Sequence, residues 1–156
     1  MLVNNAGILH RSPLSEIDDA DFAQHMAINV TGTFNTMRAA TTHLHDGGRI
    51  INMSTSIIGS YPANYGAYAA TKDAVEALTH IAAKEFGPKG ITVNAVAPGP
   101  TETEMFYTDA PKPMIDITPF KRLGTPQDIA NAVSFFAGPD SAWITGQILR
   151  ANGGLV

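Results

Sequence analysis

Short apolar runs alternate with long stretches of helical spacing along this chain, and glycine or proline punctuates the joins. MLVNN (1–5) reads as a strand entering a glycine turn. From about Asp18 to Leu44 the placing of Phe22, Met26, Ile28, Met37 and Ala40 predicts a helix, stopped by Asp46-Gly47-Gly48. RIINMST (49–55) predicts a buried strand. Gly66 to Phe86 predicts a long helix with Val75, Leu78, Ile81, Ala82 and Phe86 inward. GPKG (87–90) ends it, and ITVNAVAPG (91–99) is the next strand. Thr125 is a predicted N-cap, with Pro126 in the first helical position and Asp128 in the first turn of a helix to about Ala137. QILRANGG (147–154) completes the series as a last strand. Strands and helices in strict turn give a parallel sheet with helices on both faces, so the expected class is α/β. In such sheets ligands sit beyond the carboxyl ends of the strands.

The 156 residues suit one domain, and 44% hydrophobic against 15% charged residues is enough apolar material for a single core. A net charge of −4 without a basic stripe argues against nucleic acid or an anionic membrane as partner. The absence of cysteine removes disulfides, thiolate metal sites and cysteine nucleophiles, and suits a cytoplasmic protein. No apolar run reaches membrane-spanning length, and MLVNNAG lacks the layout of a signal peptide. Asn29-Val30-Thr31 and Asn52-Met53-Ser54 are therefore read as chance sequons. His43-x-His45-Asp46, beside a glycine turn, is read as a solvated helix end and no metal site is assigned.

Each polar cluster of interest follows a strand. Tyr68 and Lys72 stand four apart, which on a helix puts them on one face, one turn apart. A phenol with a pKa near 10 moves protons sluggishly at neutral pH. A neighbouring ammonium favours phenolate and is expected to lower that value. Ser54-Thr55-Ser56 ends the preceding strand, where a hydroxyl can hydrogen-bond a carbonyl oxygen gathering negative charge; the plainer reading is a set of strand-end hydroxyls satisfying backbone. Asn4-Asn5-Ala6-Gly7 is either a close-approach site for a ligand or a simple turn. Asn29, between Ile28 and Val30, needs a buried partner and is either functional or a satisfied structural amide.

Taken in order, NNAG (4–7), INVTG (28–32), INMSTS (51–56), YAATK (68–72), ITVNAVAPGPTETEM (91–105) and ITGQILRANGG (144–154) resemble the short-chain dehydrogenase/reductases over Leu2 to Gly154. APGPTETEMF (97–106) and TPFKR (118–122) are similar to the aldehyde-reductase-like and 3-oxoacyl-reductase-like members. The resemblance implies a Rossmann-like doubly wound sheet and hydride transfer between a nicotinamide cofactor and a carbonyl or alcohol, with NADP(H) favoured over NAD(H) and a small carbonyl compound as substrate. It implies Tyr68 as acid/base and Lys72 as its pKa adjuster and holder of the nicotinamide ribose. Ser56, twelve residues before the tyrosine and in a Ser-x-x-Gly step, is the implied substrate-orienting serine, ahead of Ser54 and Thr55. Asn29 would complete a proton relay to the lysine through water. Asn5, Ala6 and Gly7 would turn beside the adenosine ribose, and Pro98, Gly99 and Thr103 would meet the nicotinamide end.

The loop from Thr101 to about Arg122 is long and proline-rich, which suggests a substrate lid, with Met105, Phe106, Met114 and Ile115 as apolar lining or ordinary packing. These residues include no glycine-rich strand–turn–helix to hold a pyrophosphate. The chain is accordingly expected to be a partial Rossmann domain, equivalent to the family's strands 4 to 7 and begun at an internal methionine. Alone it would bind dinucleotide poorly and turn over little. The helices at 18–44 and 66–86 resemble the family's subunit-packing helices, so homo-oligomerisation is expected. A non-catalytic oligomerisation module is the alternative function. A hydrolase with Ser56 as nucleophile ranks last, since no Gly-x-Ser-x-Gly elbow is present.

Overall fold

The computed structural model describes residues 1–104 and 114–156, with the backbone alone at Met114. Four parallel strands form one sheet in the order β1 (Leu2–Asn4), β2 (Arg49–Met53), β3 (Thr92–Pro98) and β4 (Ile148–Ala151). The register pairs Val3 with Ile51, Ile50 with Val93 and Ala95 with Ile148. Successive strand residues point to opposite faces, so neighbours in β2 serve two different cores. Ile50 joins Val93, Ile91, Met37, Ala40, Ala82 and Ala83 on one face. Ile51 joins Val96 and Phe136 on the other, with Val3, Met53, Ile129 and Val133 packed against them. Helices on both faces of an all-parallel sheet explain why β2 and β3 are almost wholly buried.

The helices are α1 (Asp19–His25), α2 (Thr33–His43), α3 (Gly66–Phe86), the short α4 (Met114–Ile117) and α5 (Pro126–Ala137). The predicted helix from 18 to 44 is continuous in direction but not in pitch. Between α1 and α2 the chain widens into a π-helical stretch, Met26–Gly32. Such stretches gather at sites where a side chain or backbone group is diverted from the regular ladder. Here the diverted residue is Asn29, buried at the centre of the stretch. α3 and its stop match the sequence expectation, with Gly90 left-handed at φ 65° closing the turn. Thr125 and Asp128 form a reciprocal capping box: the Asp128 N–H donates to Thr125 Oγ1 at 3.2 Å and the Thr125 N–H to Asp128 Oδ2 at 2.8 Å.

One inward assignment fails: Ile81 is 53% exposed. Phe22, on α1, is 45% exposed. The strands are also shorter than expected. Residues 54–56 fall outside β2, yet the Ser54 and Ser56 N–H groups still donate to the Val96 and Pro98 carbonyls, both at 2.8 Å. The hydroxyl cluster therefore leaves the sheet while still tied to β3. Of the expected lid, 105–113 lie outside the described residues, which takes in Met105 and Phe106. Ile115, on α4, is 43% exposed.

Candidate active site

The carboxyl ends of β1, β2 and β3 open on a cavity of about 770 Å³. Asn5, Ala6, Gly7, Ser56, Tyr68, Lys72, Pro98, Gly99 and Thr103 all line it. Nine of the ten site residues expected from sequence thus come together from four separate stretches of chain.

Tyr68 and Lys72 lie on the first turns of α3, and both are buried. The Lys72 Nζ stands 5.7 Å from the Tyr68 ring centroid and donates to the Met53 carbonyl at 2.8 Å. The ammonium therefore faces the ring and the end of β2. The expected lowering of the phenol pKa is not what this arrangement gives. Burial pushes the Tyr68 hydroxyl up to about 12, with the Thr55 hydroxyl, as hydrogen-bond partner, pulling the other way. Burial likewise lowers Lys72 to about 8. Desolvation is the leading cause at both groups.

The three strand-end hydroxyls have separate destinations. Ser54 Oγ donates to Glu76 Oε1 at 2.6 Å, and Ser56 Oγ to the Ala97 carbonyl at 2.8 Å. Thr55 is the one that meets the phenol. Ser56, the expected substrate-orienting serine, lines the cavity, and its hydroxyl, 1% exposed as a residue, donates to β3 backbone, while the hydroxyl that meets the phenol is that of Thr55. Period-two alternation sets residue 55 apart from 54 and 56. It does not say from which side the phenol arrives, because that is decided by where α3 starts.

Asn29 is the tenth residue, and it does not line the cavity. Its Oδ1 accepts from the Ile8 N–H at 2.8 Å, while Nδ2 donates to the Ile8 carbonyl at 3.0 Å and to Thr71 Oγ1 at 3.1 Å. It pins the turn behind the cavity wall. Gly7 lies between this amide and the lysine: a Cβ there would come within 3.2 Å of Asn29 Oδ1 and 3.4 Å of Lys72 Nζ. Gly99 is needed for a different approach, since a Cβ would stand 2.7 Å from Asn152 Cα. Sequence reasoning missed Tyr65, over whose ring the Arg11 guanidinium sits at 5.7 Å, and the apolar wall formed by Leu9, Ile129 and Val133. Leu9, Ile129 and Val133 carry no polar signature; only the fold turns them inward. His43 and His45 stay at the exposed end of α2, with His43 Nδ1 2.8 Å from the Ala39 carbonyl.

The site is a parallel α/β crevice that brings a phenol, hydroxyls and an ammonium together at the strand ends. The family model described as Enoyl-(Acyl carrier protein) reductase matches residues 1–156. The chain is 41% identical to NADPH-dependent aldehyde reductase 2, chloroplastic, of Arabidopsis thaliana over 99% of its own length and 60% of that protein's. It is 37% identical to a short-chain type dehydrogenase/reductase of Picea abies over 100% of its length and 60% of the relative's. Among solved structures, a blue fluorescent protein from a metagenomic library, in complex with NADPH, superposes with a TM-score of 0.94 at 36% identity, covering 99% of this chain and 64% of that one. The angucycline C-6 ketoreductase LanV with bound NADP gives 0.93 at 32%, covering 99% and 62%. The chain belongs to the short-chain dehydrogenase/reductase family. It spans about 60% of the length of these curated relatives.

Proposed function

We propose that this protein reduces the carbonyl of a small aldehyde or ketone with NADPH, and that Tyr68 gives the proton to the carbonyl oxygen. The observation that carries the reading is the meeting of Tyr68, Thr55 and Lys72 in one cavity at the ends of three parallel strands. The names of relatives support the cofactor and the reaction class: an NADPH-dependent aldehyde reductase, and a ketoreductase solved with NADP. The cavity fits such a group. Gly7 leaves Lys72 Nζ uncovered by any Cβ, and Asn5, Ala6, Pro98, Gly99 and Thr103 offer small or backbone-rich walls. Asn5, Ala6 and Gly7 would hold the adenosine side, and Lys72 with Pro98, Gly99 and Thr103 the nicotinamide side. When bound, the cofactor supplies the hydride.

The chain's own residues manage the proton. A phenol held near 12 is fully protonated at neutral pH, the form a donor needs. Once it has given up its proton, the phenolate is stabilised by the Thr55 hydroxyl and by the Lys72 ammonium over the ring. That ammonium, lowered to about 8, is itself still charged at pH 7. Reduction is therefore expected to hold through neutral pH and to decline as Lys72 loses its proton above about 8. Asn29 acts from behind, by fixing the Ile8 backbone.

These 156 residues alone are proposed to bind dinucleotide weakly and turn over slowly, since among the described residues β1 has a single neighbour strand and the 156 residues hold no glycine-rich strand–turn–helix for a pyrophosphate. Self-association through α2 and α3 is proposed on the exposure of Phe34 and Ile81, at 45% and 53%. Titrating NADPH fluorescence against the purified chain, with sedimentation in parallel, tests the whole reading. Saturable binding with slow aldehyde-dependent oxidation supports it. Oligomers that bind no NADPH would instead favour a non-catalytic association module, and rapid turnover would refute the proposed weakness.

A further inference from the structure

The turn that forms one wall of the cavity is held from behind at two points, four residues apart on the same run of helix. Asn29 grips Ile8. His25, wholly buried at the end of α1, grips His10: its Nε2 accepts from the His10 N–H at 3.1 Å. Its other nitrogen, Nδ1, lies 2.9 Å from the Asp21 carbonyl one turn earlier. A carbonyl can only accept and an amide N–H can only donate, so these partners fix the tautomer. Nδ1 carries the hydrogen, Nε2 carries none, and the imidazole is neutral.

His10, Asp21 and His25 also bring three ligand atoms within 4.8 Å of one another, which invites a metal reading. The tautomer argues against it. A metal on His25 Nδ1 would move the ring hydrogen to Nε2, where it would meet the His10 N–H head on. Both His25 nitrogens are already committed to backbone. The cluster is built to hold chain.

We propose that His25 is a positioning residue that clamps the cavity-lining turn 5–10 through its neutral imidazole, and that protonation of His25 releases the clamp. A proton on Nε2 removes the acceptor and sets two donors face to face, so the His10 N–H loses its partner. The turn carrying Asn5, Ala6, Gly7 and Leu9 then keeps its backbone hold at Ile8, and at His10 the side-chain contact with Asp21. The charged and titratable groups around the ring are close. Asp21 Oδ1 lies 3.4 Å from His25 Nδ1. The His10 Nδ1 sits 2.7 Å from that same carboxylate, and its ring meets His25 edge-on at 5.4 Å. On α3, the helix packed against α1, Lys72 lies beside Gly7 and Asn29, and Arg11 stacks on Tyr65. The consequence for binding rests on the proposed NADPH function; the clamp itself does not.

Two substitutions separate the nitrogens. His25→Gln keeps an acceptor near the Nε2 position and cannot titrate. His25→Asn keeps the donor to Asp21 and drops the acceptor. Hydrogen exchange of the Leu9–His10 segment, corrected for the intrinsic pH dependence of exchange, reads the clamp without any cofactor. On acidification from neutral pH, protection of the wild-type segment is expected to fall about tenfold. His25→Gln should hold its protection as pH falls, and His25→Asn should lack it throughout. Equal, pH-independent protection in all three proteins would overturn the proposal. Titration with NADPH then reads the consequence: the wild type should lose affinity on acidification by more than the Gln variant, which shares the cofactor's own phosphate titration. If the clamp opens as expected but NADPH does not bind at any pH, the proposed function fails and the clamp stands. If NADPH binds and the two proteins follow one pH curve, the coupling of clamp to site is refuted.

Discussion

The two ends of α3 are buried to the same depth and carry opposite cargo. From Val75 onward it gives the core Val75, Thr79, Ala82 and Ala83, none more than 6% exposed. The one polar member, Thr79, donates to the Val75 carbonyl at 2.8 Å and accepts from Asn52 Nδ2 at the same distance. Nothing there is left unsatisfied or charged. The first half buries Tyr68 and Lys72, at 8% and 5% exposed. At pH 7 the phenol is neutral folded or unfolded, so its raised pKa costs no stability there. The lysine is different. Depression from 10.5 to about 8 means the fold disfavours the ammonium by on the order of 3 kcal/mol at neutral pH. The helix is thus a stable rod whose apolar end offsets the strain of holding a cation at the other.

The largest effect should come from removing the phenol. Tyr68→Phe keeps the ring and the packing, and is expected to cut the reduction rate by about 10²–10⁴. Cofactor affinity and melting temperature should hardly change. A variant retaining a substantial rate would remove Tyr68 from the role proposed for it. Next is Lys72→Met, which deletes a buried charge while filling its space. It should lose rate and NADPH affinity together, yet gain about 1–3 kcal/mol in stability at neutral pH. The wild type should also gain stability as pH rises from about 8 towards 10, because the unfolded lysine stays protonated while the folded one does not. The Met variant should lack that slope. Urea titrations of both proteins across this window decide it.

Further along the helix the pattern should invert. Val75, 1% exposed, packs where no catalytic atom reaches. Val75→Ala is expected to lose about 1–3 kcal/mol of stability with kcat unchanged below the melting transition. Should it damage kcat while leaving stability intact, the division of labour along α3 would be wrong.

What could be read from sequence follows the same divide between local and distant causes. α3, its glycine stop and the Thr125 capping box are set by residues within a few positions of one another, so pattern alone locates them. The pairing of Tyr68 with Lys72 is likewise a property of one helical turn. Nine of the ten site residues converge because each lies at or just beyond the carboxyl end of a strand or on an adjoining helix, which the α/β alternation predicts. The π-helical stretch was not legible, because Asn29 is drawn out of regular pitch by Ile8, twenty-one residues away. Nor was the sign of the phenol shift. Spacing announces an ammonium one turn on, but not that it will lie over the ring while burial decides the outcome. The His25 clamp left no trace of any motif; its partner is a backbone N–H.

The smallest effects belong to the strand-end hydroxyls, and they test whether Thr55 or Ser56 serves the reaction. Thr55→Val preserves shape and deletes the hydroxyl that offsets the phenol's raised pKa. The phenolate left after proton transfer then loses one of its two stabilising partners, so the rate should fall about tenfold, the value of roughly one such hydrogen bond. Ser56→Ala instead removes a buried bond to the Ala97 carbonyl, on a segment whose backbone still holds β3 at Ser54 and Ser56. It should lose about 1 kcal/mol of stability and keep its rate. The two variants differ by a single position, and only their side-chain destinations separate them. A rate loss confined to Ser56→Ala would return the substrate-facing hydroxyl to Ser56. It would mean that the rotamers at the end of β2 exchange partners when a carbonyl compound enters the cavity.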